Sequence, residues 1–401
     1  MIVAHLADLH LGYRAYHRLG AGGINAREKD VADAFDAAVR KLCELKADLI
    51  VIAGDVFHTV RPSNASIAIA FRQFARLRRA LPRTPVVIIA GNHDSPRSLE
   101  TGSILALLAE IEDVHVVDRE VRCVELKKLD TAVLCLPHNA LASGGIGALE
   151  PRRGYGTNVL TMHATVRGPE VDELLGYAGE FGGAQIDIAD IRVERWDYVA
   201  LGHYHIATPL APNMWYAGAL ERTATNIWIE TEPKGFVVYD TDAARATFHK
   251  LPTRPMLDLP RITARADADA FLAPDELDAR IRRTVDGVNG GIDSKIVRLI
   301  LDDVPRELFR ELDHRRLREY RARALHFHLD VRRPERRLRA PVAAARRVSL
   351  EDEAEAFLVR DWQPSGRDIQ KTRLVALARQ YLAEAAREGM DPLLVAAEPG
   401  L

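Results

Sequence analysis

Short runs of β-branched and aliphatic residues alternate with amphipathic segments over the first 250 residues of the chain. Segment 30–45 is amphipathic, because Val31, Phe35 and Leu42 recur at the spacing of one helix face. A hydrophobic run at 49–53 follows it and has the length and composition of a buried strand. This repeated alternation of strands with helices predicts a layered α/β domain.

The pattern changes beyond residue 250, where three prolines between residues 251 and 260 indicate a boundary. A smaller unit follows, with a strand at Lys295–Leu301, a helix at Arg306–Ala324 and a strand at Leu325–Val331. An arginine-rich stretch separates this unit from two helical segments, the second of which is amphipathic. We therefore expect four parts, at residues 1–255, 256–332, 333–348 and 349–401.

Positive and negative charges are nearly balanced, with a formal net charge of −2. A protein with this balance has no global basic field, so any binding of nucleic acid would depend on local patches. The chain is 47% hydrophobic and 28% charged, which is ordinary for a soluble globular protein. Its 401 residues are enough for two or more domains.

The cysteines Cys43, Cys123 and Cys135 form no CxxC pair, which argues against both a disulfide framework and a zinc knuckle. The first residues show no basic leader or cleavage site, and no apolar stretch approaches the length of a membrane span. We therefore expect a protein of the reducing cytoplasm that has no contact with a membrane.

Residue types that bind metals follow several of the hydrophobic runs, namely those that begin at residues 2, 49, 86, 159 and 198. In an open α/β sheet, ligands collect in the crevice beyond the carboxyl ends of the strands. A sixth run, Ala132–Pro137, is followed by His138 and is the weakest member of the set. The candidate metal ligands are Asp8, His10, Asp55, Asn92, His163, His203 and His205.

The chemistry of these side chains favours two divalent cations. Asp8 and His10 are two residues apart, and in extended backbone such residues point the same way. Gly54 and Gly91 precede ligand segments, where a side chain would obstruct the approach of the backbone. A mixed carboxylate, imidazole and amide set favours Mn²⁺, Fe²⁺ or Zn²⁺ over Ca²⁺ or Mg²⁺. The set exceeds the roughly six ligands of one cation, so we favour a pair about 3.5–4 Å apart, bridged by Asp55 and suited to attack on phosphate esters.

Each motif taken alone also has a structural explanation. An Asp-x-His sequence at a strand end is commonly a turn or a cap, Gly-Asn-His-Asp fits a tight turn, and His203 and His205 could be packed core histidines. The recurrence of all these motifs at strand ends favours the metal site. By contrast, we expect solvent-facing positions for His5, His115, His249, His314, His326 and His328.

The same motifs resemble those of the calcineurin-like metallophosphoesterases: Asp8-Leu9-His10, Gly54-Asp55-Val56-Phe57-His58, Gly91-Asn92-His93-Asp94, His163 and Gly202-His203-Tyr204-His205. Further segments resemble more narrowly the SbcD-type double-strand-break repair nucleases: residues 23–30, Arg61-Pro62-Ser63, residues 218–222 and residues 233–236. The resemblance is strong over residues 1–240, whereas residues 260–331 match only in their strand–helix–strand outline.

This resemblance implies a layered αββα metallophosphoesterase sandwich, a smaller α/β capping domain and C-terminal helices. It implies two Mn²⁺ ions, with Fe²⁺ or Zn²⁺ as alternatives. The first ion would be bound by Asp8, His10, Asp55 and His205, and the second by Asp55, Asn92, His163 and His203. His93 would be a general acid, Asp94 would fix its tautomer and orientation, and His58 would stabilise charge developing on the phosphate.

Metal-assisted hydrolysis of a phosphate ester follows from the residues themselves, whereas DNA as the substrate comes mainly from the resemblance. The resemblance also implies 3′-to-5′ double-strand exonuclease and single-strand endonuclease activity, a homodimer, and a complex with an SbcC-type ABC ATPase bound by the C-terminal helices. Candidate DNA contacts are Arg61, Ser63, Arg332 and Arg333. Two alternatives stay open: a phosphoesterase for small nucleotide diesters or phosphoproteins, and a non-enzymatic scaffold that recruits an ATPase to DNA ends.

Overall fold

The computed structural model describes residues 1–96, 102–144, 147–175, 183–267, 270–334, 356–360 and 371–388. For residues 21, 371 and 382–388 the description covers the backbone alone. The chain forms two compact units, residues 1–333 and residues 334–401.

The strands, in chain order, are β1 (Ile2–Leu6), β2 (Leu49–Ala53), β3 (Val86–Ile89), β4 (Val114–Val117), β5 (Arg122–Leu126), β6 (Thr131–Leu136), β7 (Thr157–His163), β8 (Thr165–Arg167), β9 (Gln185–Asp187), β10 (Tyr198–Gly202), β11 (Thr208–Ala211), β12 (Met214–Tyr216), β13 (Gly235–Asp240), β14 (Arg245–Lys250), β15 (Met256–Asp258), β16 (Ile262–Thr263), β17 (Ile296–Asp302) and β18 (His326–Val331). The α-helices are α1 (Ala26–Leu45), α2 (Asn64–Ala80), α3 (His138–Ala142), α4 (Pro169–Leu175), α5 (Ile188–Ile191), α6 (Pro274–Asp286), α7 (Arg306–Glu311), α8 (His314–Arg323), α9 (356–360) and α10 (Lys371–Glu388). A 3₁₀ segment spans Ile104–Glu110.

Two six-stranded sheets form the larger part of the first unit. The first sheet has the strand order β14-β13-β1-β2-β3-β4, in which β1 to β4 are parallel and β13 and β14 are added antiparallel. The second sheet has the order β11-β12-β10-β7-β6-β5, with a parallel centre and antiparallel edge strands. Parallel neighbours need long crossover connections, which explains the alternation of strands and helices in the sequence.

The two sheets pack face to face. Val3, Val51 and Ile89 of the first sheet share one buried cluster with Val133 and Tyr198 of the second. The other face of the first sheet packs against α1 and α2, and the other face of the second sheet packs against α3, α4 and α5. The layered αββα sandwich implied by the resemblance is therefore confirmed.

Helix α1 begins earlier than the periodicity of segment 30–45 predicts. The side chain of Asn25 accepts hydrogen bonds from the N–H groups of Arg27 and Glu28, so the helix is capped at Asn25. It ends at Leu45, because Lys46 adopts the left-handed conformation with φ of 51°. The predicted apolar face is buried, and the first turn was missed because its residues are polar.

A smaller parallel sheet follows, in which β17 pairs with β15, β16 and β18. Strands β17 and β18 lie within one residue of the predicted strands. The single helix predicted at Arg306–Ala324 is wrong, because α7 ends at Glu311 and α8 begins at His314. Asp313 interrupts the helix, since its side chain caps α8 by accepting the N–H of Arg316. The boundaries at 255 and 332 stay a prediction.

The connection between β1 and α1 is attached to the smaller sheet. The guanidinium of Arg18 donates hydrogen bonds to three carbonyl groups at the end of α8. Tyr16 stacks on His326, with ring centroids 3.9 Å apart. Arg254, just before β15, forms an ion pair with Asp30 in α1 at 2.6 Å. The smaller sheet is thus bonded to the segment that follows the first candidate metal ligands.

The prediction that His5 faces solvent is wrong. His5 is completely buried, and its Nδ1 lies 2.8 Å from the hydroxyl of Tyr198 in the second sheet. Burial lowers the pKa of His5 to about 3. Strand β1 is covered on both faces, so alternation along the strand does not bring the side chains of residues 3–6 to the surface. His326 is half-buried against Tyr16, whereas His328 is exposed.

In the second unit the structure describes Pro334, α9 and α10. Phe357, Val359, Leu377 and Tyr381 are exposed large hydrophobic residues of these helices. The predicted arginine-rich linker at 333–348 lies outside the described residues except for its first two positions. Among the helices that the structure describes, none combines the length and the apolar character needed to cross a membrane.

Candidate metal centre

Five strands deliver the candidate ligands to one edge of the sandwich. Strands β1, β2 and β3 of the first sheet end just before Asp8, Asp55 and Asn92. In the second sheet His163 is the last residue of β7, and His203 follows β10. Because these strands are parallel within each sheet, their carboxyl ends meet in one crevice.

Left-handed backbone positions many of these residues. The φ angles are 53° at Asp8, 47° at His10, 53° at Asp55 and 96° at His203. Such conformations cost on the order of 1–3 kcal/mol each for residues other than glycine and cluster at functional sites. Backbone hydrogen bonds from Asp8 to Gly54 and from His10 to Asp55, of 3.0 and 2.9 Å, hold the two loops in this form.

The glycines before the ligands are needed for space, as the sequence predicted. A Cβ on Gly54 would lie 2.3 Å from Nδ1 of His163, and one on Gly91 would lie 2.1 Å from Oδ1 of Asp55. Both distances are far below van der Waals contact. The loops therefore approach one another as closely as only glycine allows.

The ligands divide into two groups. The first group is Asp8, His10 and His205, whose donor atoms all lie within 4.8 Å of one another. Its two imidazoles face each other, with 3.0 Å between the two Nε2 atoms. All three side chains are buried.

The second group is Asn92, His163 and His203. Oδ1 of Asn92 lies 2.9 Å from Nε2 of His163 and 3.2 Å from Nδ1 of His203. The amide oxygen therefore faces two imidazole nitrogens, as it would if all three bound one cation.

Asp55 lies between the two groups. Its Oδ2 is 3.8 Å from Nε2 of His10 in the first group and 3.3 Å from Nε2 of His163 in the second. Its Oδ1 accepts the backbone N–H of His93 at 2.8 Å. One oxygen of this carboxylate is thus fixed by the backbone while the other faces both groups.

These residues fit a divalent metal by their chemistry and by their outer contacts. Nδ1 of His163 lies 2.8 Å from the carbonyl oxygen of Ala53, so it can donate there and leave Nε2 for a cation. Nδ1 of His205 lies 3.4 Å from the hydroxyl of Thr223. Fixing one ring nitrogen by an outer partner is the usual arrangement of metal-binding histidines.

The charged side chains of this cluster shift one another's pKa values. Burial alone would raise the pKa of Asp55, but the neighbouring His163, His10 and His93 lower it overall. Burial alone would lower the pKa of His163, but Asp55 and Asp8 raise it to about 10. Burial is the main reason that the pKa of Asp8 is raised to about 6. A cation held by His163 would require this imidazole to be neutral.

The rings of His58 and His93 lie beside the first group. They stack on each other with centroids 5.1 Å apart, and each contacts the ring of His10 edge-on. Nδ1 of His93 lies 2.8 Å from the carbonyl oxygen of His58. Both rings are half-buried, so they border the crevice rather than the core.

The carboxylate of Asp94 is bonded to the backbone of the neighbouring loops. It accepts the backbone N–H groups of Val56, Phe57 and Gly91. Burial, followed by the charge of Asp55, raises the pKa of Asp94 to about 7. Asp94 therefore braces the loop after Asp55, and the carbonyl oxygen of His58 lies where it can accept from Nδ1 of His93. The role of Asp94 in orienting His93 stays a prediction.

The four candidate DNA contacts are not members of the two ligand groups. Arg61 and Arg333 are exposed. Ser63 is the N-cap of α2, where its hydroxyl accepts the N–H of Ser66, so a structural role accounts for it. Arg332 is paired with Asp330 at 3.0 Å. The role of all four residues as DNA contacts stays a prediction.

Sequence reasoning missed a buried ion pair behind His205. Lys234 donates a hydrogen bond to the carbonyl oxygen of His205 at 2.7 Å, and it pairs with Glu230. Oε1 of Glu230 lies 3.9 Å from Nδ1 of His205. Lys234 belongs to a segment that the sequence singled out only by resemblance, and no local pattern signals the pair, because residues 230–234 are not helical.

A buried set of carboxylates, imidazoles and an amide at the carboxyl ends of two packed sheets defines a metal-dependent phosphoesterase. The chain belongs to the calcineurin-like phosphoesterase family, whose model matches residues 1–207, about half of its length. This membership implies that divalent metal is bound, and the residues described above fit it.

Several curated relatives carry the name DNA double-strand break repair protein Mre11. The protein of Methanocaldococcus jannaschii is 39% identical over 110 residues, 27% of this chain and 28% of that protein. That of Sulfurisphaera tokodaii is 27% identical over 206 residues, covering 51% of this chain and 48% of that protein. That of Thermoplasma acidophilum is 25% identical over 289 residues, 67% of this chain and 69% of that protein. The chain thus matches less than half the length of the first two relatives.

Proposed function

We propose that this protein is a two-metal phosphodiesterase that hydrolyses the DNA backbone in the repair of double-strand breaks. The observation that carries the proposal is the position of Asp55, with Oδ2 facing His10 on one side and His163 on the other. A single carboxylate between two ligand groups suits a pair of cations, and such pairs suit displacement at phosphorus.

Each part of the cluster has a distinct place in the proposed reaction. When bound, a pair of divalent cations, for which we propose Mn²⁺, polarises the phosphoryl oxygen and lowers the pKa of water. His93 protonates the departing sugar oxygen from Nε2, since its Nδ1 is held by the carbonyl of His58. His58 donates a hydrogen bond to the phosphate. Asp94 keeps the loop of Asp55 in place.

DNA is the proposed substrate, and the names of the relatives support it. The exposed Arg61 and Arg333 are available to contact phosphates, which supply much of the affinity for DNA. We propose both a 3′-to-5′ exonuclease on duplex ends and an endonuclease on single strands. A cytoplasmic location is part of the same proposal.

The direct test is to incubate the purified full chain with end-labelled duplex and Mn²⁺. We expect nucleotides to be released from 3′ ends, and we expect EDTA to reduce cleavage below detection because the ligands then hold no cation. The same preparation is given a small nucleotide diester and a phosphoprotein at equal concentration. A kcat/KM that is higher for either of these than for DNA would favour the alternative phosphoesterase.

We also propose a homodimer. Phe71 of α2 and Leu107 of the neighbouring 3₁₀ segment are 46% and 49% exposed. They line an apolar groove of about 490 Å³ together with Ile67 and Ile104. Large exposed apolar residues around one groove are typical of an interface between proteins.

An SbcC-type ATPase is the proposed partner, bound by the second unit. The described helices of this second unit expose the side chains of Phe357, Val359, Leu377 and Tyr381. Apolar helix faces of this kind bind to grooves or coiled coils of partner proteins. We expect deletion of residues 349–401 to spare Mn²⁺-dependent cleavage and to abolish co-purification of the co-expressed ATPase. Cleavage is the control for folding. An ATPase still retained by the shortened chain would place the binding surface within residues 1–348.

A further inference from the structure

His138 lies at the same edge of the sandwich as the metal ligands, although no role has been assigned to it above. It follows β6, whose neighbour in the second sheet is β7, and Leu136 pairs with Met162. Continuing this register places Pro137 opposite His163, which ends β7, and His138 directly after it. The backbone N–H of His138 donates to the carbonyl oxygen of Ala90 at 2.9 Å. This bond ties it to the segment that carries Asn92 and His93.

The ring of His138 is held without using its polar atoms. Nδ1 is buried and has no hydrogen-bond partner among the described residues. A buried polar atom without a partner costs free energy, so such atoms mark sites that a ligand or water completes. Burial lowers the pKa of His138, His163 and His93 lower it further, and the charge of Asp55 opposes them. A neutral imidazole has one N–H to donate.

His138 belongs to none of the groups of three or more described His, Cys, Asp or Glu side chains whose donor atoms lie within 4.8 Å of one another. The ring is half-buried at the border of the crevice, as are those of His58 and His93. The anion that the proposed function brings to this crevice is a phosphate, and hydrogen-bond donors from the chain are what its oxygens require.

We propose that His138 is a substrate-contacting residue, which donates a hydrogen bond to a phosphate oxygen of the ester bound at the cluster, on the side of His163. This inference rests on the proposed phosphodiesterase function. It assigns His58 and His93 to one side of the phosphate and His138 to the other.

Two variants test this contact, His138→Ala, which removes the donor, and His138→Gln, which keeps one. His115→Ala is the matched control. His115 lies on β4, is also half-buried, and has a pKa that burial lowers. Calorimetry with Mn²⁺ alone and then with inorganic phosphate on the Mn²⁺-loaded protein separates metal binding from phosphate binding. Hydrolysis of bis-p-nitrophenyl phosphate gives kcat and KM.

For His138→Ala we expect unchanged Mn²⁺ stoichiometry, about 10- to 100-fold weaker phosphate binding, and a comparable fall in kcat/KM, as for a hydrogen bond to a charged group. His138→Gln should recover part of both, and His115→Ala should alter neither. Unchanged phosphate affinity and kcat/KM in His138→Ala would overturn the contact. So would the loss of one Mn²⁺ equivalent, which would make His138 a metal ligand. A third outcome is that His138→Ala binds phosphate more weakly while the wild type cleaves no diester. That outcome would support the phosphate contact and reject the phosphodiesterase function.

Discussion

Asp55→Asn is expected to lose at least one of two Mn²⁺ equivalents and to lower DNA cleavage by roughly 10³-fold or more, because several kcal/mol of charge stabilisation are removed. The side chain is completely buried between His10 and His163. An amide offers a single neutral oxygen in place of the charged carboxylate, so it cannot serve both ligand groups. Calorimetric titration with Mn²⁺ measures the stoichiometry, and cleavage of labelled duplex measures the rate.

Asp118→Asn is the matched control, because Asp118 follows β4, the next parallel strand of the same sheet, and lies outside the ligand groups. We expect this variant to bind Mn²⁺ and cleave DNA as the wild type does. If Asp55→Asn still bound two Mn²⁺ ions with unchanged affinity, the position of Asp55 between the two groups would have no bearing on metal binding.

His93→Ala is expected to keep both metals and to lose roughly 10²–10⁴ in the rate of DNA cleavage, the usual contribution of a general acid. The loss should depend on the leaving group. A sugar oxygen leaves as a strong base and needs the proton, whereas p-nitrophenolate is a weak base and leaves without it. The comparison is therefore the rate ratio of wild type to variant on DNA and on bis-p-nitrophenyl phosphate.

A ratio that is large for DNA and small for the nitrophenyl ester identifies proton donation as the role of His93. Equal ratios for both substrates would instead indicate that the side chain of His93 binds the phosphate, since the backbone N–H that donates to Asp55 is retained in the variant. His58→Ala helps to separate these roles, because a residue that stabilises the phosphate should affect both substrates alike.

The position of the metal centre could be predicted from the sequence because strand ends leave a clear pattern. Each ligand follows a hydrophobic run, and a parallel sheet brings the ends of such runs together whatever their separation along the chain. Asp8 and His205 are almost 200 residues apart, yet both were identified in this way. The need for glycine at positions 54 and 91 could also be predicted, because two loops that approach closely leave no room for a Cβ.

The outer contacts could not be predicted, because they depend on backbone groups and on both faces of the sheets. Asp94 bonds to the backbone N–H groups of Val56 and Phe57, which have no signature in side-chain identity. His5 is buried because a second sheet packs on β1. The sequence pattern of β1 does not show whether one face of the strand is covered or both. The start of α1 at Ala26 depends on the cap at Asn25 rather than on periodicity.

The attachment of the smaller sheet has a mechanical consequence. Arg18, Tyr16 and Asp30 occupy the stretch of chain that leads from His10 into α1, and all three hold the smaller sheet. Tilting that sheet away would have to break the bonds of Arg18, the ring stack of Tyr16 and the ion pair of Asp30 together. A force on the smaller sheet is therefore transmitted through the segment between His10 and α1 to the crevice that contains the candidate metal ligands.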